Sequence, residues 1–312
     1  MEFVYGPVPS RRLGRSLGID PLPSKTCNHQ CIYCQLGRTT HFTNTRENFF
    51  PVNQIINEMK SAIKINQNHI DYITFVGSGE PTLYKDLKNL IIAAKELSNK
   101  PICVISNGSL LNNEEVVEAL LFSDVILPSL DAGSEKLFKK INRPHPSLKF
   151  DEVIQGFISF REKYKGKFWL EIMLMKDIND SKEELILIRD KIDLIKPDRI
   201  DINVPIRPPT ELWVKIPDTT ILSKLTEIFH AYNNINFPEK GKFLTYSSNF
   251  EMELISLIKR HPMRQQQIIK NFSTDHLNEI ELLRLLSHLE CERKIKRKIY
   301  NDEIFWMIKK KK

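Results

Sequence analysis

Three cysteines capable of metal chemistry lie close together near the start of the chain. Cys27, Cys31 and Cys34 fall within eight residues, with the spacing Cys-x3-Cys-x2-Cys. Thiolates are soft ligands that suit iron–sulfur clusters and zinc. Three of them fill three corners of a cubic iron–sulfur cluster, and no fourth cysteine is near in sequence. The spacing therefore predicts a catalytic cluster with one open iron. On the cysteines alone, a zinc site that includes His29 is the alternative, although His29 is expected to be exposed in its loop.

The two remaining cysteines are expected to have a different role. Cys103 and Cys291 are far apart and lie among apolar residues. Each is predicted to be a small buried side chain. Five cysteines, three of them clustered, do not indicate a disulfide framework.

Short apolar runs alternate with helical spacing between the cysteine loop and residue 204. This alternation is typical of βα units around a parallel sheet. About six units are present, which predicts an α/β fold with a partial (β/α)6 barrel rather than the eightfold form. Strands are predicted near 17–20 and over 72–76, 102–105, 125–127, 169–174 and 199–204. Helices are predicted over 52–65, 83–97, 113–122, 134–141, 150–164 and 181–195.

Polar and glycine-rich residues follow the predicted strands. Ligands of parallel α/β folds bind at the carboxyl ends of the strands, and the cysteine loop follows the first strand on the same face. Taken singly, 77–81 is equally consistent with a turn and 106–108 with a helix cap. The strand-end residues predicted to share one site are Gly77, Gly79, Glu80, Ser106, Asn107, Ser129, Asp131 and Asn203.

The cysteine spacing, with the aromatic Tyr33 before the last cysteine, resembles that of the radical SAM superfamily. The resemblance extends through Asn203, about two-thirds of the chain. It implies that the cysteines ligate a [4Fe–4S] cluster whose fourth iron chelates S-adenosylmethionine (SAM). It also implies reductive cleavage of SAM to a 5′-deoxyadenosyl radical, which abstracts hydrogen from a substrate.

The same resemblance implies a role for each strand-end group. The 77–80 loop would receive the methionine ammonium, and the polar pair 106–107 would steady the methionine end. Ser129 and Asp131 would contact the ribose, and Tyr33 would pack near the adenine. The roles of Asn203, and of Glu171 and Arg207 beside it, remain open.

Within the superfamily, residues 5–14 and 79–82 resemble a group classed beside the wyosine tRNA-modifying enzymes. The archaeal wyosine synthases hold a second cluster on three further cysteines. Only Cys103 and Cys291 are left here, so the resemblance implies a related protein that is not a wyosine synthase. Its electron is expected to come from a separate donor.

The last part of the chain has a different pattern. Helical spacing over 252–259, 265–271 and 277–290 precedes a basic strand over 293–300 and a second strand over 304–308, which predicts a winged helix. Residues 251–312 carry 14 basic and 9 acidic side chains. The predicted domains are the partial barrel over 1–232, which ends in a helix over 222–232, a linker or covering segment over 233–249, and the winged helix over 250–312.

The basic strand indicates a polyanionic partner. RNA, with a tRNA base as substrate, is therefore the first hypothesis, although winged helices also dock proteins. Arg11, Arg12 and Arg15 are expected either to extend this surface or to form ion pairs. The cations predicted to contact the phosphate backbone are Arg293, Lys294, Lys296, Arg297 and Lys298.

Two other functions are consistent with parts of the sequence. The 203–209 motif is reminiscent of enzymes that modify proteins or peptides, such as glycyl-radical activases. A third hypothesis is a redox-sensing regulator that binds DNA, but that hypothesis leaves the SAM-binding loops unexplained. The N-terminus lacks the layout of a signal peptide and no apolar run is long enough to cross a membrane, which predicts a cytoplasmic enzyme.

Overall fold

The computed structural model describes residues 1–218, 250–273 and 277–309, together with 220, 221, 229, 232 and 233. Most of the helix predicted over 222–232, and nearly all of the segment predicted over 233–249, lie outside the described residues. The predicted domain boundaries therefore remain a proposal.

The described part of the chain contains a sheet of eight strands in the order β1-β2-β5-β6-β7-β8-β9-β10. Strands β2 and β5 to β9 run parallel, as the alternating pattern predicted. The short strands β3 and β4 pair separately beside the cysteine loop. The strand bounds are β1 Val4–Ser10, β2 Gly14–Ile19, β3 Thr26–Cys27, β4 His41–Phe42, β5 Tyr72–Phe75, β6 Ile102–Ser106, β7 Val125–Pro128, β8 Lys167–Met173, β9 Arg199–Asn203 and β10 Tyr232–Asn233.

Strand β1 was absent from the sequence prediction. It contains two prolines and a glycine, which are depleted in strands, yet it pairs antiparallel with β2 as an edge strand. An edge position tolerates proline because one row of backbone N–H groups needs no partner strand. The resulting hairpin places residues 11–13 at its turn, over the end of the sheet.

In the described part of the chain, six helices accompany the parallel strands. Side-chain caps begin three of them: Asn113, Ser134 and Ser181 each accept a hydrogen bond from a backbone N–H in the first turn. The helix predicted from residue 83 begins only at Leu87, because Glu80 caps a short 3₁₀ turn over Pro81–Leu83. The helix bounds are α1 Val52–Asn66, α2 Leu87–Leu97, α3 Glu114–Leu120, α4 Glu135–Ile141, α5 Phe150–Lys163 and α6 Lys182–Ile195.

Residues 250–309 form a C-terminal module with its own apolar core. Its core residues, among them Leu257 and Leu286, pack with Tyr5 of strand β1. The module therefore rests on the N-terminal hairpin. Its elements are α7 Phe250–Arg260, β11 Met263–Arg264, α8 Gln265–Phe272, α9 Glu279–Cys291, β12 Ile295–Tyr300 and β13 Glu303–Ile308, with the strands in the antiparallel order β11-β13-β12.

Within the described ranges, none of the helices combines the length and the apolar character that a membrane span would require.

Candidate active site

A cavity of about 330 Å³ opens at the carboxyl ends of the parallel strands. It gathers eleven of the twelve residues that the sequence predicted for the site, from the cysteine loop after β2 and from the ends of β5, β6, β7 and β9 or the residues that follow them. Asp131 is the exception. The predicted residues on the cavity wall are Cys27, Cys31, Tyr33, Cys34, Gly77, Gly79, Glu80, Ser106, Asn107, Ser129 and Asn203.

Each cysteine sulfur has a nitrogen donor within hydrogen-bond distance, two from in or next to the cysteine loop and one from after helix α4. The backbone N–H of His29 points at Cys27 Sγ at 3.4 Å, and Asn142 Nδ2 lies 3.6 Å from Cys31 Sγ. Lys25 Nζ lies 3.1 Å from Cys34 Sγ. Such donors stabilise thiolate and cluster-bound sulfur. No pattern in the sequence pointed to Lys25 or Asn142 as partners of the cysteines.

The electrostatics of the cysteine loop fit a cationic group. Burial raises the pKa of Cys27 to about 12 and the pKa of Cys31 well above its ordinary value. Bound iron supplies the positive charge that keeps such thiols deprotonated. In the described part of the chain, no three His, Cys, Asp or Glu side chains converge as ligands of a single ion. The donor set on the cavity wall, three cysteine thiols, fits a [4Fe–4S] cluster.

His29 is not exposed, contrary to the prediction. Its side chain is buried, and its ring packs edge-on against Phe138 with 5.5 Å between the ring centroids. Burial lowers the pKa of His29 to about 3. Neither ring nitrogen has a hydrogen-bond partner among the described residues. The apolar face of α4 covers the cysteine loop at this point, which the local sequence does not reveal.

The glycine-rich loop fits against the chain's own backbone. A Cβ atom on Gly79 would lie 1.9 Å from the carbonyl oxygen of Thr26, and one on Gly77 would lie 2.1 Å from Asp20. Glu80 is buried, and its carboxylate accepts hydrogen bonds from Thr82 and Ser106 and from the backbone N–H of residue 107. Burial raises the pKa of Glu80, and these hydrogen bonds oppose that rise. Glu80 thus ties the loop after β5 to the end of β6.

Gly79→Ala is expected to lower the free energy of unfolding by about 1–3 kcal/mol, because the loop must move away from Thr26. SAM affinity should fall with it, since the same loop lines the cavity. Equilibrium dialysis with SAM and denaturant unfolding would measure both. Gly156→Ala, in helix α5 away from the cavity, is the matched control. Unchanged SAM binding in Gly79→Ala would show that the loop position is not required.

Asp131 lies behind the cavity wall rather than on it. Its Oδ2 accepts hydrogen bonds from the Tyr33 hydroxyl at 2.6 Å and Asn142 Nδ2 at 2.8 Å, and its Oδ1 accepts one from the backbone N–H of Met173. Burial raises the pKa of Asp131, and these hydrogen bonds oppose the rise. The carboxylate therefore holds Tyr33 and Asn142 in place, and Asn142 in turn contacts Cys31. Of the two residues predicted to contact the ribose, Ser129 lines the cavity and Asp131 does not.

Two of the three N-terminal arginines form ion pairs, which is one of the two roles predicted for them. Arg15 on β2 pairs with Asp71, the residue before β5, at 2.8 Å. Arg12 forms a close ion pair with Glu171, and Asn203 Nδ2 donates to the same carboxylate at 2.8 Å. Arg11 and Arg12 both line the cavity. The arginines at the hairpin turn therefore belong to the interior of the site.

The two remaining cysteines, Cys103 and Cys291, differ in burial. Cys103 is fully buried on β6, as predicted. Cys291 ends helix α9 and is exposed, so its predicted burial is wrong. The leucines before it are buried because they fall on the opposite side of the helix. The two cysteines lie in different parts of the fold, and neither lines the cavity.

Comparison with known proteins identifies the family. The model for the radical SAM superfamily matches residues 22–187. The chain belongs to the radical SAM superfamily. It is 34% identical over 313 residues to a UPF0026 protein of Methanocaldococcus jannaschii, which covers 98% of this chain and 96% of that protein. It is also 43% identical over 288 residues to a GTPase Obg of Brachyspira hyodysenteriae, covering 91% of this chain. The match spans only 42% of that relative's length.

Structural similarity agrees with this family. SuiB of Streptococcus suis, in its crystal structure bound to S-adenosylmethionine, superposes with a TM-score of 0.50 and 23% identity. The match covers 69% of this radical SAM chain and 43% of SuiB, and it shows a shared fold. The superfamily uses a [4Fe–4S] cluster and SAM, so these are the cofactors of the chain. The prediction of a radical SAM protein that is related to the wyosine synthases without being one of them is confirmed.

Proposed function

We propose that the protein is a radical SAM enzyme that modifies a tRNA base and grips the RNA with a C-terminal winged helix. The observation that carries the proposal is where the basic strand β12 lies. Its last residue, Tyr300, donates a hydrogen bond to the backbone carbonyl of Pro205 at 2.8 Å. Pro205 itself lines the SAM cavity. RNA bound along β12 would therefore lie beside the mouth of the cavity.

The chain's own residues bind the cofactors in the proposed enzyme. Cys27, Cys31 and Cys34 would hold the cluster, which when bound would supply the electron that cleaves SAM to a 5′-deoxyadenosyl radical. The glycine loop 77–80 and the polar pair 106–107 accommodate the methionine part of SAM. Ser129, Tyr33 and Asn203 line the rest of the cavity. A partial (β/α)6 barrel would enclose these groups and exclude water from the reacting atoms.

The charges on β12 are available to a phosphate backbone. Lys296 is exposed, and Arg297 forms an ion pair with Glu290 at 3.3 Å. Lys294 forms ion pairs with Glu251 and Glu292. Exposed ion pairs contribute about 0–1 kcal/mol, so a phosphate can replace the carboxylates at little cost. Arginine and lysine on an exposed strand are typical of backbone contacts that do not read sequence.

The double substitution Lys296→Glu with Arg297→Glu is expected to weaken tRNA binding. The logarithm of the association constant should also depend less steeply on the logarithm of salt concentration, by about one unit of slope per lost phosphate contact. Titration of total tRNA at several salt concentrations would measure this. Lys165→Glu, an exposed lysine outside the C-terminal module, is the matched control. Equal slopes in the wild type and the double variant would contradict a role for β12 in RNA binding.

The activity itself requires two measurements. Reconstituted protein with dithionite and SAM should release 5′-deoxyadenosine. Nucleoside profiles of tRNA from cells with and without the protein should differ at one modified base. Release of 5′-deoxyadenosine with unchanged tRNA profiles would reject RNA as the substrate and direct the search to proteins docked by the C-terminal module.

A further inference from the structure

A second cavity, of about 190 Å³, adjoins the SAM cavity inside the fold. The two cavities share several wall residues, among them Gly77, Asn203 and Arg207. The second cavity then extends away from the cysteines, between the N-terminal hairpin and the end of helix α7. Tyr5, Ser10 and Arg260 line only this part. None of the residues predicted to hold the methionine or the ribose of SAM lies on that extension.

The wall of the second cavity is strongly basic. Four arginines line it, and none of its described lining residues is aspartate or glutamate. Two of these arginines are paired with carboxylates that do not line the second cavity: Arg12 pairs with Glu171, which lines the adjoining SAM cavity, and Arg260 pairs with Asp20 at 2.9 Å. The hydroxyls of Ser16 and Thr74 add further polar groups to the wall. Positive charge confined to an interior cavity favours an anionic occupant.

Arg207 is aimed at this cavity by the C-terminal module. Its Nη2 lies 2.8 Å from His261 Nε2, and its Nε donates to the backbone carbonyl of Pro262 at 3.2 Å. A guanidinium only donates hydrogen bonds, so His261 accepts at Nε2 and is neutral. Burial, with Arg207 and Arg11 nearby, lowers the pKa of His261 well below its ordinary value, which agrees with that state. His261 thus serves as a positioning residue for Arg207.

We propose that the second cavity binds a phosphate group of the substrate, held by Arg11 from the hairpin turn and by Arg207 from the loop after β9. The guanidinium fork matches the geometry of phosphate oxygens. The cavity is small and continuous with the SAM cavity, so a bound phosphate would fix the attached nucleoside beside the site of hydrogen abstraction. The assignment rests on the proposed function, because it gives the nucleotide substrate an anchor inside the fold.

The test is calorimetric titration of the cluster-loaded full-length protein with inorganic phosphate and with adenosine 5′-monophosphate at constant ionic strength. Arg11→Gln and Arg207→Gln are each expected to weaken phosphate binding at least tenfold. Arg15→Gln, which alters an arginine that is paired with Asp71 and lines neither cavity, should bind as the wild type does. Arg207→Lys should be intermediate, because it keeps the charge and loses the fork. Retention of the cluster absorbance in every variant verifies that the fold is intact.

Three outcomes would overturn the proposal: no phosphate binding by the wild type, binding that survives both arginine-to-glutamine substitutions, or acetate binding as tightly as phosphate. Failure of the RNA function is distinguishable. If Arg11 and Arg207 are required for phosphate binding while tRNA neither binds nor changes, the cavity assignment holds and the macromolecular substrate is wrong. If tRNA is modified normally by Arg11→Gln and Arg207→Gln, the cavity assignment is wrong and the RNA function stands.

Discussion

Cys31→Ala is expected to abolish the [4Fe–4S] absorbance of the reconstituted protein and to reduce 5′-deoxyadenosine release below detection. Cys31 is one of three sulfurs on the cavity wall, and two cannot hold a cluster that needs three protein ligands. The loss should be complete, since no other cysteine lines the cavity among the described residues. Absorbance spectroscopy, iron and sulfide content, and chromatography of the SAM products would measure it.

Cys291→Ala is the matched control for this prediction. Cys291 is exposed at the end of α9, within the C-terminal module, so its removal should leave iron content and SAM cleavage unchanged. If Cys31→Ala retained a full complement of iron while Cys291→Ala lost it, the assignment of the cluster to the cysteine loop would be wrong.

Arg260→Met is expected to lower the free energy of unfolding by about 3–5 kcal/mol, the range for breaking a buried ion pair. The Arg260 side chain is 4% exposed and that of Asp20 is 1% exposed. The substitution leaves the Asp20 carboxylate buried without its cation. Asp20 Oδ2 also accepts hydrogen bonds from the backbone N–H and the hydroxyl of Ser78 in the glycine-rich loop. SAM affinity should therefore fall together with stability.

Arg15→Met is the control for the buried pair. Arg15 and Asp71 form an ion pair of similar length, but their side chains are 34% and 40% exposed. Its loss should cost about 0–1 kcal/mol, because water screens exposed pairs. Denaturant unfolding of the two variants decides the matter. Equal losses of unfolding free energy in the two variants would contradict the prediction that the buried Arg260–Asp20 pair stabilises the fold more than the exposed pair does.

The sequence by itself determined the chemistry and the layout that supports it. The cysteine spacing and the polar residues after each strand depend on short stretches of chain, and alternating apolar patterns locate the strands that present them. Eleven of the twelve predicted site residues therefore meet at one cavity. The exception, Asp131, lies after the correct strand, but its side chain turns inward to Tyr33 and Asn142. Its position along the chain was predictable and its direction was not.

Only the tertiary structure decided which groups support the cysteines and what lies beside them. Asn142 reaches Cys31 from 111 residues away, and Arg260 reaches Asp20 across 240 residues. His29 and Cys291 were misplaced for the same reason, since burial depends on the element packed over a residue. The second, basic cavity forms where the hairpin turn meets helix α7. Local sequence patterns carry no information about contacts between residues far apart in the chain, because the packing of the whole fold determines those contacts.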